Sequence, residues 1–162
     1  MGSSDLQIGL VTKTIGPIIT ILGAIVGGML VVRFGVMPIL LLGALLVVAT
    51  NLLFILLAIM PANTIYLSLV IGADNLSGGL AGSAFIAFLS GLTNRAYTAT
   101  QYALFSSLML LPAKFIGGFS GDIVDAFGFV SFFFYTALLG LPAILLILYM
   151  MKNPINSEKN SD

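Results

Sequence analysis

The chain has 162 residues, of which 59% are hydrophobic and only 7% are charged, and its mean hydropathy is +1.16. Because a soluble domain carries about a quarter charged residues, this composition predicts a protein that lies in the lipid bilayer. Six basic residues balance six acidic ones, which leaves no positive field to bind nucleic acid. The sequence has no Cys and no His, so the usual disulfide, zinc, haem and hydrolytic chemistry is excluded, and we expect no enzyme, metal or cofactor.

Five segments reach the roughly 20 apolar residues that a bilayer crossing requires. In chain order they are Leu6–Val32, Val36–Met60, Thr64–Leu92, Ala99–Ile123 and Phe129–Met151. Such long apolar runs favour helices over the short alternating strands of a membrane barrel. The predicted fold is therefore an all-α, polytopic transmembrane bundle of about five helices over residues 1–152, with a disordered tail over residues 153–162.

The basic residues between the segments predict the orientation of the bundle. Arg33, Arg95 and Lys152 follow the first, third and fifth segments, and basic connections lie preferentially in the cytoplasm. The C-terminus is thus expected inside the cell. The first helix would then enter from the outer face with no helix before it, which predicts a truncated bundle.

Small residues and prolines punctuate three of the predicted helices. Pairs four residues apart let helix backbones approach closely, and a proline leaves a helical carbonyl without its partner. We interpret these residues as helix-packing or hinge positions: Gly23, Gly27, Gly78, Gly82, Gly117, Gly121, Pro17 and Pro112. Spacing alone leaves open whether any of them also borders a ligand.

Three charged residues fall inside the apolar segments, where a charge costs roughly 2.5–3.5 kcal/mol and is usually functional or paired. At about 1.5 Å per helical residue, Asp74 lies roughly 15 Å and Lys13 roughly 10 Å from the outer ends of their helices. Lys114 lies about 22 Å from the cytoplasmic end of its helix. All three fall in the outer half of the bilayer, so they are expected to meet in one cavity.

Two interpretations of this group stay open. In the first, Asp74 is a protonatable carboxylate, and Lys13 and Lys114 hold an anionic group of a small-molecule substrate. In the second, Asp74 forms a structural ion pair with one of the two lysines, and loss of that pair would damage folding more than transport. Asn75 and Gln101 complete the set of candidate pathway residues.

Four stretches of the chain resemble a known family of transporters. They are "GLVTKTIGPIITILGAIVGGMLVVRFG", "ADNLSGGLAGSAFIAFL", "TATQYALFSSL" and "GGFSGDIVDAFG", and they are similar to the last five helices of the AmpG-type muropeptide permeases of the major facilitator superfamily. The resemblance implies a bacterial inner-membrane symporter that imports anhydro-muropeptides, which are fragments of peptidoglycan, with protons. In that family the position of Asp74 is often Glu, and the position of Lys114 is in some members Arg.

The resemblance covers the chain from about Gly9 to Met151 and implies the C-terminal half of the permease fold without its first helix. On this basis, either a separately encoded N-terminal half completes the transporter, or the sequence is a split or decaying gene product. The rival hypotheses are a non-transporting membrane protein, such as a relic or a helical interaction subunit, and a relative that carries another anionic conjugate such as acetyl-CoA or a siderophore.

Overall fold

The computed structural model describes the backbone of residues 2–59, 64–92 and 98–153, and the side chains of residues 15–59, 65–92, 99–108, 111, 114, 118, 119 and 121–153. Five helices occupy this part of the chain: α1 (Gly2–Phe34), α2 (Val36–Ile59), α3 (Thr64–Leu92), α4 (Thr98–Gly118) and α5 (Ser120–Lys152). The predicted all-α membrane bundle is confirmed. Among the described residues, α1, α2, α3 and α5 contain stretches long and apolar enough to cross a bilayer. The crossing of α4 stays a prediction.

A glycine separates the first two helices. Gly35 has a φ of +87°, and its N–H donates to the carbonyl oxygen of Val31 at 2.8 Å. A residue with positive φ that closes such a bond is a common helix end, and glycine adopts it without strain. Pro38 then lies in the first turn of α2, where its missing N–H removes no helical hydrogen bond. As a result, a single residue separates the end of α1 from the start of α2.

The boundary between α4 and α5 lies earlier in the chain than the sequence predicts. The predicted fourth segment runs to Ile123, whereas α4 ends at Gly118 and residues 120–127 continue into α5. Gly128 interrupts α5 with a φ of 78° and a ψ of 165°, a combination essentially restricted to glycine. The regular part of α5 therefore starts at Phe129, where the fifth segment is predicted to begin.

The helices pack in the order α1, α3, α2, α5, so α3 lies between α1 and α2, and α2 lies between α3 and α5. α3 lies along both α1 and α2, α2 lies along α5, and α4 makes sparse contacts with α3 and α5. A buried apolar cluster joins the start of α2, the second half of α3 and the end of α5; its members are Ile39, Leu40, Leu80, Ala84 and Ile147. Near the opposite end of α2, the ring of Phe54 stacks on that of Phe133 with centroids 4.8 Å apart. These contacts hold α2, α3 and α5 together along their length.

Large apolar side chains cover the outside of the bundle. Leu69, Leu145 and Ile59 are 64%, 67% and 68% exposed. In water, exposing this much apolar surface would cost free energy, whereas lipid chains solvate it as well as a protein core does. The exposed surface is therefore that of a multi-pass membrane protein.

Candidate functional site in a row of polar side chains

Asp74 lies in the interior of α3 and is paired with a hydroxyl group on α2. Its side chain is half-buried, and the Oγ1 of Thr50 donates a hydrogen bond of 2.9 Å to its Oδ1. Thr50 itself is 4% exposed. The same hydroxyl oxygen lies 3.0 Å from the carbonyl oxygen of Val47, one turn earlier in α2. A hydroxyl has one hydrogen to donate, so the carboxylate and the backbone carbonyl compete for it.

Asn75 follows Asp74 in α3 and contacts the other neighbouring helix. The Oγ1 of Thr20 in α1 donates to the Oδ1 of Asn75 at 2.9 Å. The Nδ2 of Asn75 donates to the carbonyl oxygen of Ile71 at 2.8 Å. Consecutive helical residues point about 100° apart, which is why one residue faces α2 and the next faces α1.

The same arrangement recurs on α2, where Asn51 follows Thr50. The Oδ1 of Asn51 accepts a hydrogen bond of 3.3 Å from the Oγ1 of Thr136 in α5. The Nδ2 of Asn51 donates to the carbonyl oxygen of Val47 at 3.0 Å. Together these side chains make a polar row across four helices, in the order Thr20, Asn75, Asp74, Thr50, Asn51 and Thr136. We call this set the polar row.

The two central residues of the polar row, Thr50 and Asp74, lie at equal distances from the connection between α2 and α3. Thr50 lies about 14 Å before the end of α2 at Ile59. Asp74 lies about 15 Å after the start of α3 at Thr64. Because α2 and α3 pack antiparallel to each other, equal distances from their connection bring Thr50 and Asp74 to the same level.

Glycines let α1 and α3 approach closely enough for the polar row to form. A Cβ built on Gly79 would lie 2.9 Å from the backbone nitrogen of Ala24 and closer still to the carbonyl oxygen of Thr20. A Cβ on Gly27 would lie 2.9 Å from the Cα of Leu80, and one on Gly23 would overlap the carbonyl oxygen of Leu76. The two backbones are thus in direct contact along this interface, where Thr20 reaches Asn75.

The other small residues singled out from the sequence lie elsewhere. Apart from its chain neighbours and the backbone of its own helix, no described atom lies within 4 Å of a Cβ built on Gly78, Gly82 or Gly121, so a packing role for them stays a prediction. Pro17 lies within α1, which continues through it. The side chain of Pro112 and the surroundings of Gly117 lie outside the described residues.

Of the two predicted cations, one has a described side chain. Lys114 is exposed on α4, the helix with the sparsest contacts to the bundle. The side chain of Lys13 lies outside the described residues, and Gln101 is half-buried in α4. The structure joins Asp74 and Asn75 into one row. Their grouping with Lys13, Lys114 and Gln101 stays a prediction.

Sequence reasoning identified the α3 members of the polar row and missed its other members, which are Thr20, Thr50, Asn51 and Thr136. A usable signal existed in the Thr50 and Asn51 pair, an uncharged polar pair within an apolar helix at the depth of Asp74. Chemically, the row offers Asp74 a neutral hydroxyl donor within an apolar bundle. A carboxylate in such surroundings is suited to binding a proton or a cation.

The apolar helices and the polar row within them define a polytopic helical membrane protein. No family model matches the chain. It is 34% identical over 142 residues to the "Anhydromuropeptide permease" of Escherichia coli K12, and the matched region covers 88% of this chain and 29% of that protein. It is 33% identical to the "Putative transporter AmpG 1" of Rickettsia prowazekii over 96% of this chain and 35% of that protein. It is also 35% identical to an uncharacterized protein of Haemophilus influenzae over 99% of this chain and 39% of that protein.

Over the segment that it spans, the chain is homologous to the AmpG-type permeases. This segment amounts to 29–39% of the length of the three relatives named above.

Proposed function

We propose that the chain forms part of a proton-coupled importer of anhydro-muropeptides in the bacterial inner membrane, with its C-terminus in the cytoplasm. Asp74 carries the coupling proton in this proposal. The names of the relatives, an anhydromuropeptide permease and a transporter, support the substrate and the class of activity. Because the chain spans 29–39% of their length, helices that this segment does not contain complete the substrate site.

The observation that carries the role of Asp74 is its position within α3 beside a neutral donor. It is the one acidic residue between positions 6 and 121, and its hydrogen-bond partner among the described side chains is the hydroxyl of Thr50. Burying an ionised group in lipid costs roughly 2.5–3.5 kcal/mol. A hydroxyl offsets part of this cost without fixing the charge as a cation would, so the carboxylate remains able to take up and release a proton. Lys13 and Lys114 stay in the proposal as contacts for an anionic substrate group.

A chimeric transporter tests this role. The chain replaces the matching segment of the Escherichia coli anhydromuropeptide permease, in cells that lack their own permease, and uptake of labelled anhydro-muropeptide is measured with and without a protonophore. We expect Asp74→Asn to abolish protonophore-sensitive accumulation at a normal membrane level of the chimera. The matched control is Asp125→Asn, which neutralises an exposed carboxylate near the start of α5 and should leave accumulation intact.

Two results would contradict the proposal in different ways. Unchanged proton-driven uptake in the Asp74→Asn chimera would remove the proton-carrying role. A well-expressed chimera that accumulates another anionic conjugate, such as acetyl-CoA or a siderophore, in place of the muropeptide would overturn the substrate.

A second candidate function is a helical interaction subunit that does not transport by itself. The observation that favours it is the open side of α3, where a Cβ on Gly78 or Gly82 would meet no described atom within 4 Å. Purification of the tagged chain from its native membrane separates the two candidates. A co-purifying chain that supplies further transporter helices favours transport, and a partner that is unrelated to transporters favours the interaction subunit.

A further inference from the structure

We propose that Thr50 is the positioning residue for the proton on Asp74. In the charged state the Thr50 hydroxyl donates to the Asp74 carboxylate. When Asp74 is protonated, its O–H donates to Thr50 Oγ1, and the Thr50 hydroxyl donates to the carbonyl oxygen of Val47. This inference rests on the proposed function, because it assumes that Asp74 gains and loses a proton during transport.

The distances allow both states without movement of a heavy atom. Thr50 Oγ1 lies 2.9 Å from Asp74 Oδ1 and 3.0 Å from the carbonyl oxygen of Val47. A hydroxyl donates once and accepts through two lone pairs. Rotation about its C–O bond is therefore enough to exchange the acceptor, and every polar group involved stays paired in both states.

Burial and side-chain stiffness hold Thr50 in place for this exchange. Its side chain is 4% exposed, so water is excluded as a substitute partner and an unpaired polar group here would be costly. A β-branched side chain has few χ1 rotamers in a helix.

Among the described side chains, Thr50 is the hydrogen-bond partner of Asp74. The charged and titratable groups on the surrounding helices are few. α2 contains no ionisable residue. The ionisable residues on the other helices packed against α3, and on α3 itself, are Asp5, Lys13 and Arg33 on α1, Tyr66 on α3, and Tyr102 and Lys114 on α4. Of these, the side chains of Asp5 and Lys13 lie outside the described residues, and Arg33 is exposed in the last turn of α1.

Two matched substitutions of Thr50 test the assignment. Thr50→Val keeps the shape and removes the hydroxyl, and Thr50→Ser keeps the hydroxyl on a smaller side chain. The control is Thr136→Val, which removes a hydroxyl of the polar row that contacts Asn51 and not Asp74. Two readouts are needed: the infrared carboxyl band of the purified chain in lipid discs, assigned by its loss in Asp74→Asn, and the pH profile of uptake by the chimera.

We expect Thr50→Val to move the carboxyl band to higher frequency, because its partner hydroxyl is gone. The pH profile of uptake should change as well, since the Asp74 carboxylate loses the hydroxyl that donates to it. Thr50→Ser should restore both values, and Thr136→Val should change neither. If Thr50→Val and Thr136→Val lower thermal stability alike and leave the band and the pH profile unchanged, Thr50 is only a packing residue and the inference is wrong.

The infrared readout separates this inference from the proposed function. If Asp74→Asn retains proton-driven uptake while the band still responds to Thr50→Val but not to Thr50→Ser, the hydrogen-bond assignment stands and the transport role of Asp74 falls. If Asp74→Asn abolishes uptake while Thr50→Val leaves the carboxyl band of Asp74 unchanged, the inference is wrong and the transport role stands.

Discussion

Replacing Gly79 by alanine should push α1 away from α3 and break the bond between Thr20 and Asn75. The new Cβ would lie 2.9 Å from the backbone nitrogen of Ala24, whereas ordinary contacts begin near 3.4 Å. The obstructing atoms belong to the backbone, so no side chain can rotate out of the way. The helices must therefore separate by at least about 0.5 Å.

The size of the effect follows from this separation. A shift of about 0.5 Å would lengthen the 2.9 Å bond between Thr20 and Asn75 to the outer limit of a hydrogen bond. Overpacking costs about 1–3 kcal/mol, and a lost interhelical hydrogen bond in a membrane protein adds about 0.6 kcal/mol. The better helix propensity of alanine stabilises the folded chain by about 0.5–1 kcal/mol. We expect Gly79→Ala to lower the free energy of unfolding by about 1–3 kcal/mol.

The neighbouring glycine supplies a matched control for this experiment. A Cβ on Gly78 would meet no described atom within 4 Å, so Gly78→Ala should leave the isolated chain unchanged or slightly more stable. Unfolding is followed by circular dichroism as the purified chain is titrated from a mild detergent into SDS. Equal stability of the two variants would refute the close approach of α1 and α3, and with it the geometry of the polar row.

Three further substitutions probe other contacts by the same SDS titration. A Cβ on Gly43 would lie 2.7 Å from the Cα of Ala81, so Gly43→Ala should separate α2 from α3 and lower the free energy of unfolding by about 1–3 kcal/mol. Gly128 has a φ of 78° and a ψ of 165°, so Gly128→Ala should strain the break in α5 and cost about 1–3 kcal/mol. Thr136→Val removes the hydrogen bond to Asn51 and should cost about 0.6 kcal/mol.

Glycines with open surroundings serve as controls for these variants. A Cβ on Gly28 or Gly121 would meet no described atom within 4 Å, and neither residue has the positive φ of Gly35 and Gly128. Alanine at either position should be tolerated. If Gly28→Ala destabilised the chain as much as Gly43→Ala does, the differences would reflect helix flexibility in general and not the described contacts.

The helices of this chain were predictable because a bilayer crossing demands a long apolar run with its backbone bonds made internally. Their order in space was not predictable from the same argument. Every helix here is apolar around most of its surface, so hydropathy does not mark which face meets which neighbour. The contact of α1 with α3 depends on Gly79 fitting against Thr20 and Ala24, a matter of shape that the spacing of Gly78 and Gly82 does not reveal.

The candidate site was half predictable for a related reason. Asp74 stands out in the sequence because a charge in lipid is costly, whereas Thr and Ser do not, since their hydroxyls usually bond the carbonyl of their own helix. Ser77 and Ser107 do this, each bonding the carbonyl oxygen four residues earlier, at 2.7 and 2.8 Å. Thr50 makes the same kind of local bond and also reaches Asp74, and only the packing of α2 on α3 distinguishes the two cases.

Asp74 and Asn75 are adjacent on α3, and their order determines which neighbouring helix the carboxylate faces. Exchanging them, by Asp74→Asn together with Asn75→Asp, would leave length, charge and mean hydropathy identical. The carboxylate would then turn from Thr50 on α2 towards Thr20 on α1, because the two positions face different helices. A protein with the same overall composition would thus carry its membrane charge at the interface of α3 with α1 instead of that with α2.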